Sequence, residues 1–160
     1  MFICIIPNMS IDMPAPNVLL VNGPNLNRLG LRDPSVYGTK TLREIVVGLE
    51  EQARESGWQM FSTQSNHEGH LIDWIQEHQD SADALILNPA GLTDCGSSLR
   101  DCIHDAALPT AVVHISNLYS RPPPWRRTDI FAPLATCYIA GCGPEGYGYA
   151  LAHLLRSARS

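Results

Sequence analysis

The sequence predicts an α/β fold, a flavodoxin-like three-layer sandwich on a five-stranded parallel sheet in the order 2-1-3-4-5. Two observations carry this. Five short apolar runs read as buried strands, and segments of helical periodicity alternate with them, which demands a parallel sheet covered on both faces. Right-handed crossovers limit the remaining topologies, and five strands favour that order.

Each element has its own signal. Val18 to Val21 is an apolar run stopped by Asn22-Gly23-Pro24, a strand that ends at a turn. Thr41-Leu42-Arg43-Glu44 is a capping box, opening a helix with Leu42, Ile45, Val46 and Leu49 at helical spacing and a stop near Gly57. Trp58 to Thr63 is the second strand. The polar turn Gln64 to Gly69 leads to a helix carrying Leu71, Ile72 and Ile75. Ala84 to Leu87 is the third strand, ending at Asn88-Pro89, with a helix from Ser98 to Ala106 after it. Thr110 to His114 is the fourth strand. A long irregular loop containing Pro122-Pro123-Pro124 precedes the fifth, Ala135 to Ala140, and the last helix runs from Glu145 to Arg156.

With no internal repeat, linker or low-complexity segment, residues 17–160 read as one domain and 1–16 as an N-terminal extension. The apolar part of that extension, Phe2 to Pro7, is too short for a signal h-region and lacks a preceding positive charge. It reads as a loosely ordered tail, or as an over-long start with Met9 or Met13 as the beginning.

Composition excludes several function classes. At 160 residues, 44% hydrophobic and 17% charged, the chain has an ordinary globular balance. A net charge of −5 argues against nucleic acid or an anionic membrane as partner, and no segment is long enough to span a bilayer. Lys40 is the only lysine and lies in a polar turn, unlike the desolvated amine of a Schiff-base enzyme. Five cysteines without paired spacing read as thiols of a reducing, cytoplasmic compartment.

Sheets of this order bind ligands beyond the carboxyl ends of their strands. The ends here read Asn22-Gly23-Pro24-Asn25, Asn88-Pro89-Ala90-Gly91 and His114-Ile115-Ser116-Asn117. Amides, a histidine and a hydroxyl converge without lysines, which suits a small polyhydroxylated or carboxylated molecule. In the loop after the first strand, Arg32 lies five residues before Tyr37. A fixed positive charge near a phenol favours the phenolate and makes it a usable base, although loop tyrosines also serve as packing or surface residues.

Other patterns are weaker. Gly141-Cys142-Gly143-Pro144-Glu145-Gly146 has the form of a dinucleotide fingerprint, but no further strand and ribose-binding acid follow, so it reads as a tight strand-to-helix turn. His67, His70 and Asp73 do not have a recognised ligand spacing, and no metal or other cofactor is expected. Cys95 and Cys102 read as helix packing residues. The proline-rich stretch ending in Trp125-Arg126-Arg127 reads as a stiff loop over the site, its arginines facing a carboxylate or hydroxyl.

The segment Asn22 to Gly38 closely resembles that of the type II 3-dehydroquinate dehydratases. The likeness continues through Gln64-Ser65-Asn66-His67-Glu68-Gly69, Asp73-Trp74-Ile75, Leu87-Asn88-Pro89, Leu99-Arg100-Asp101, Val113-His114-Ile115-Ser116-Asn117 and Gly146-Tyr147, essentially from Val18 to Leu155. The resemblance implies a metal-free lyase without a Schiff base that dehydrates 3-dehydroquinate to 3-dehydroshikimate through an enolate. It implies Tyr37 as base, Arg32 as the residue that lowers its pKa, Asn25 as holder of a water against the enolate, and His114 as acid. It further implies a carboxylate cradle from the backbone of Ile115 and Ser116, and hydroxyl contacts from Asn88 and Arg126. Asp101 would reach into a neighbouring subunit's site within a homododecamer of trimers.

Three positions depart from the pattern. Asp94 stands where the family has a histidine that binds a substrate hydroxyl, Val112 where it has the glutamate that orients the acid, and Tyr119 where it has a second histidine. The loop from Arg121 to Arg126 is also one residue longer. His114 is therefore expected to lack the partner that favours its protonated form, and activity on 3-dehydroquinate to be weaker than is usual. Three readings stay open: a working 3-dehydroquinate dehydratase, a divergent homologue acting on a related cyclic hydroxy acid, and a binding-only member of the fold.

Overall fold

A computed structural model describes residues 15–31, 38–120, 122 and 124–158; all but the last two residues of the expected N-terminal extension lie outside the described residues. The five strands are β1 (Asn17–Asn22), β2 (Gln59–Gln64), β3 (Ala84–Asn88), β4 (Thr110–His114) and β5 (Cys137–Ala140). They form one parallel sheet in the order β2-β1-β3-β4-β5, as the alternation of elements predicts. Among the described residues the helices are α1 (Leu42–Glu55), α2 (Glu68–His78), α3 (Ser97–Ala106) and α4 (Glu145–Ser157).

Alternation along the strands sorts the core into two layers. Val18, Leu20, Ile86, Ala111 and Val113 pack under α1 and α4. Leu19, Val21, Leu85, Leu87 and Val112 pack under α2 and α3, with Phe131 closing that side. β1, β3 and β4 are buried along almost their whole length, whereas the edge strand β2 is half-exposed.

The capping box forms as expected: Thr41 Oγ1 accepts from the Glu44 N–H at 3.2 Å and Glu44 accepts from the Thr41 N–H at 2.8 Å. Boundaries shift where side-chain pattern and backbone bonding part company. Trp58 is apolar and buried but precedes β2, because its N–H caps α1 on Ala53 O at 2.9 Å, after Gly57 turns the chain at φ 79°. Glu68 and Gly69 belong to α2 rather than to the turn before it. β5 begins at Cys137 rather than Ala135, because a 3-10 turn at Ala132–Leu134 holds the Ala135 N–H on Ala132 O. The long loop before it contains further short 3-10 turns at Leu118–Ser120 and Pro124–Arg127.

Candidate functional site

The carboxyl ends of β1, β3 and β4 lie side by side, so the three segments singled out by sequence meet at one rim of the sheet. Asn22 and Asn88 are register partners, both buried, on the α4 face. Tyr147 of α4, fully buried, joins them: its hydroxyl donates to Asn22 Oδ1 at 2.7 Å and accepts from Asn88 Nδ2 at 2.7 Å. Asn88 Oδ1 accepts from the Ala90 N–H at 3.1 Å. Asn88 is thus largely committed to holding the rim together, a role its assignment as a hydroxyl contact did not include. Asn22 Nδ2 is left buried without a hydrogen-bond partner among the described residues.

The loop after β1 is fastened to the turn after β2. Asn25 sits in the left-handed region at φ 67°, and its N–H donates to Asn66 Oδ1 at 2.8 Å. Gln64 donates to the same oxygen and to Gly23 O. The Asn25 side chain is exposed, with Leu26 and Leu29 buried beside it as anchors. Arg32 and Tyr37 lie outside the described residues, so the loop is seen only up to Leu31 and again from Gly38.

His114 ends β4 on the opposite face, the face of Val112 and α3. Contrary to the expectation drawn from Val112, it does not lack a carboxylate partner. Nε2 of His114 lies 2.6 Å from Asp129 Oδ2, with each side chain only 1% exposed. The same Asp129 oxygen accepts from the Tyr138 hydroxyl at 2.9 Å, and Oδ1 accepts from the Phe131 N–H at 2.8 Å. Burial pushes the Asp129 carboxyl up, but His114, the Phe131 N–H and Tyr138 outweigh it and hold the group below the usual carboxylate range. Burial, then the Asp129 charge and the adjacent Tyr119 hydroxyl, push the Tyr138 phenol well above its ordinary value, so it stays a donor.

The segment bearing Asp129 is itself pinned. The Ile130 N–H donates to Thr93 O at 3.0 Å, Ile130 O accepts from Arg100 Nε at 3.1 Å, and Phe131 is fully buried. Arg100 also meets Asp101 at 3.3 Å, with the Asp101 carboxylate 73% exposed on α3. Glu68 of α2 accepts from the Leu99 N–H at 2.9 Å, supplying the cap that Gly96 cannot give to α3.

The remaining candidates divide. Asp94 is half-buried in the turn before α3, Ile115 is buried directly after β4, and Ser116 is half-buried next to it. Arg126 falls in the short turn at Pro124–Arg127, and its side chain lies outside the described part. Cys102 is buried in the core as expected, but Cys95 is exposed in the turn before α3, not packed in the helix. Gly141 and Gly143, both at positive φ, bind their N–H groups to His114 O and Ile115 O, which makes the glycine run a strand-to-helix turn that braces the end of β4. His67 and His70 touch edge to face at the start of α2, both exposed. Sequence reasoning missed Asp129, Tyr138 and the anchoring roles of Asn66 and Glu68. The one signal for Asp129 was an acid set against the apolar run Ile130-Phe131-Ala132-Pro133-Leu134.

Comparison with known proteins is consistent along the chain. The family model for class II dehydroquinase matches residues 16–155. A 3-dehydroquinate dehydratase of Roseiflexus castenholzii is 47% identical over 138 residues, covering 86% of this chain and 87% of the relative. Among solved structures, the type II dehydroquinase of Propionibacterium acnes superposes with a TM-score of 0.82 at 34% identity, covering 88% of this chain and 96% of that one. That of Butyrivibrio crossotus gives 0.83 at 33% identity, over 87% and 97%.

Proposed function

The chain belongs to the class II dehydroquinase family, and from that membership we propose that it is a lyase converting 3-dehydroquinate to 3-dehydroshikimate and water. The observation that carries the reading is the extent of the match, residues 16–155, which takes in every strand end described above. Tyr37, kept ionisable by Arg32, removes the proton from the carbon beside the ketone. The electron pair becomes an enolate, whose oxygen is met by a water on Asn25. Collapse of the enolate restores the ketone, forms the conjugated double bond and expels the hydroxyl one carbon further on. His114 gives that hydroxyl its proton, so it leaves as water. The N–H groups of Ile115 and Ser116 receive the substrate carboxylate, and Asn88, Asp94 and Arg126 its hydroxyls.

Neither metal nor Schiff base enters this scheme. Lys40, the sole lysine, pairs with Glu145 on the surface at 3.0 Å. The active assembly is a homododecamer of trimers, with the exposed Asp101 completing a neighbour's site.

Purified protein mixed with 3-dehydroquinate should generate the enone absorbance. Tyr37→Phe removes only the proton acceptor and should lower kcat by about 10²–10⁴-fold while substrate still binds. Near-native turnover in that variant would remove Tyr37 from the mechanism, and a borohydride-trapped adduct would overturn the exclusion of a Schiff base.

A second reading has a specific observation behind it. Asp94, when ionised, only accepts hydrogen bonds, where a histidine can also donate. That change suits a related cyclic hydroxy acid with a different hydroxyl pattern. Turnover of such an acid at higher kcat/KM than 3-dehydroquinate would favour it.

A further inference from the structure

We propose that Asp129 is the positioning residue of the acid His114, with Tyr138 holding Asp129 in place, so that the orienting carboxylate has moved from β4 to the segment before β5. The inference rests on the reading of His114 as the acid. Position 112, two residues before His114 on the same strand face, is an apolar valine and can orient nothing. Its register partner on β5 is Tyr138, on the same face. The Tyr138 hydroxyl and the His114 ring converge on a single oxygen, Asp129 Oδ2, at 2.9 and 2.6 Å. Two donors on one carboxylate oxygen, with the other oxygen taken by the Phe131 N–H, leave Asp129 one orientation.

The support is anchored immediately after Asp129. Both backbone polar groups of Ile130 are bonded, to Thr93 and Arg100, and the buried Phe131 follows. Even Gly96 is matched to this arrangement: a Cβ there would stand 3.3 Å from the Phe131 ring and 2.9 Å from Leu92 Cβ. Asp129 bonds the imidazole and the Tyr138 ring lies 5.6 Å from it, with Tyr119 beside the phenol. Tyr119 and Val112, two of the departures from the family pattern, adjoin the same network.

The chemical consequence is specific. A carboxylate only accepts, so Nε2 carries a hydrogen and Nδ1 is the nitrogen left for substrate. When Nδ1 is protonated the ring is a cation, and the buried Asp129 charge stabilises it without taking up the proton itself. Delivery of the Nδ1 proton to the departing hydroxyl then leaves the neutral ring still fixed by its Nε2–H bond.

Asp129→Asn keeps the shape and removes the charge. It should lower kcat about 100-fold or more with KM little changed, and move the alkaline limb of the kcat profile to lower pH. Proton NMR of the native protein should show a far-downfield ring proton on His114, moved upfield in this variant. Tyr138→Phe should give a smaller loss in the same direction. Val112→Glu should lower activity in the native chain, where it buries a second carboxylate beside the first, yet recover about tenfold in the Asp129→Asn background. His114→Gln separates the two claims. If it retains turnover, the acid assignment fails; if it is inactive while Asp129→Asn keeps the native rate and profile, only the positioning role fails. An Asp129→Asn protein whose rate drops with the pH profile and ring proton unmoved also overturns it, since Asp129 would then act on folding alone. Were 3-dehydroquinate not the substrate, the ring proton would still decide: unchanged in Asp129→Asn, it refutes the pairing.

Discussion

One phenolic oxygen, that of Tyr147, ties three elements together, since it bridges the end of β1 to the end of β3 from within α4. Burial pushes that hydroxyl well above its ordinary pKa, against a smaller opposing pull from Asn88, so it remains a neutral donor. Tyr147→Phe keeps the ring and leaves two buried amides short of a partner. It should cost about 1–3 kcal/mol, read as a lower urea midpoint at unchanged m. Asp129 adds a pH dependence. Its carboxyl lies below the ordinary value in the folded chain, so its stabilisation is complete above the unfolded value, about pH 3.9, and is lost as pH falls through the folded value. Acid titration of the unfolding free energy should show that loss in the native protein and a flatter curve in Asp129→Asn.

Two glycines separate what an element needs from what it tolerates. Gly23 follows β1, and its N–H donates to Asn88 O at 2.8 Å. A Cβ at Gly23 would lie 2.3 Å from Pro89 O and 2.8 Å from Pro89 C, both backbone atoms that cannot swing aside. Gly23→Ala must push β1 and β3 apart at the rim; the expected cost is about 1–3 kcal/mol or more, with lost activity because Asn22 and Asn88 move with the strands. Gly48 sits inside α1, and a methyl added there would meet nothing within 4 Å. Gly48→Ala should therefore stabilise by about 0.5–1 kcal/mol, and thermal unfolding of the two variants should move in opposite directions.

At the scale of the molecule, one rim of the sheet carries a polar network on each face: Asn22, Asn88 and Tyr147 toward α4, His114 and Asp129 toward α3. Asp101, on α3, pairs with Arg100 and is 73% exposed. An exposed acid in a segment shared with the family is what a cross-subunit contribution requires. Light scattering should give a mass several times that of the 17.6 kDa chain, and Asp101→Ala should lower turnover more than it lowers stability. A strictly monomeric, fully active protein would refute both.

The strands, their order and the helices α1 to α4 were determined by the sequence itself, because hydrophobic period, caps and crossover handedness act over a few residues. Thr41 and Glu44 are three apart, and β4 matches its apolar run residue for residue. The strand-end segments were legible for the same reason, since a parallel sheet must present them together. The partners within the site were decided by the tertiary structure. Asp129 meets His114 across 15 residues, Glu68 meets Leu99 across 31, and Asn66 meets Asn25 across 41. No local periodicity links such pairs. A carboxylate that leaves its strand and returns from a loop looks, along the chain, like a lost one, and only the folded sheet, by setting Tyr138 opposite Val112 and pinning Ile130 on Thr93 and Arg100, brings it back to the same histidine.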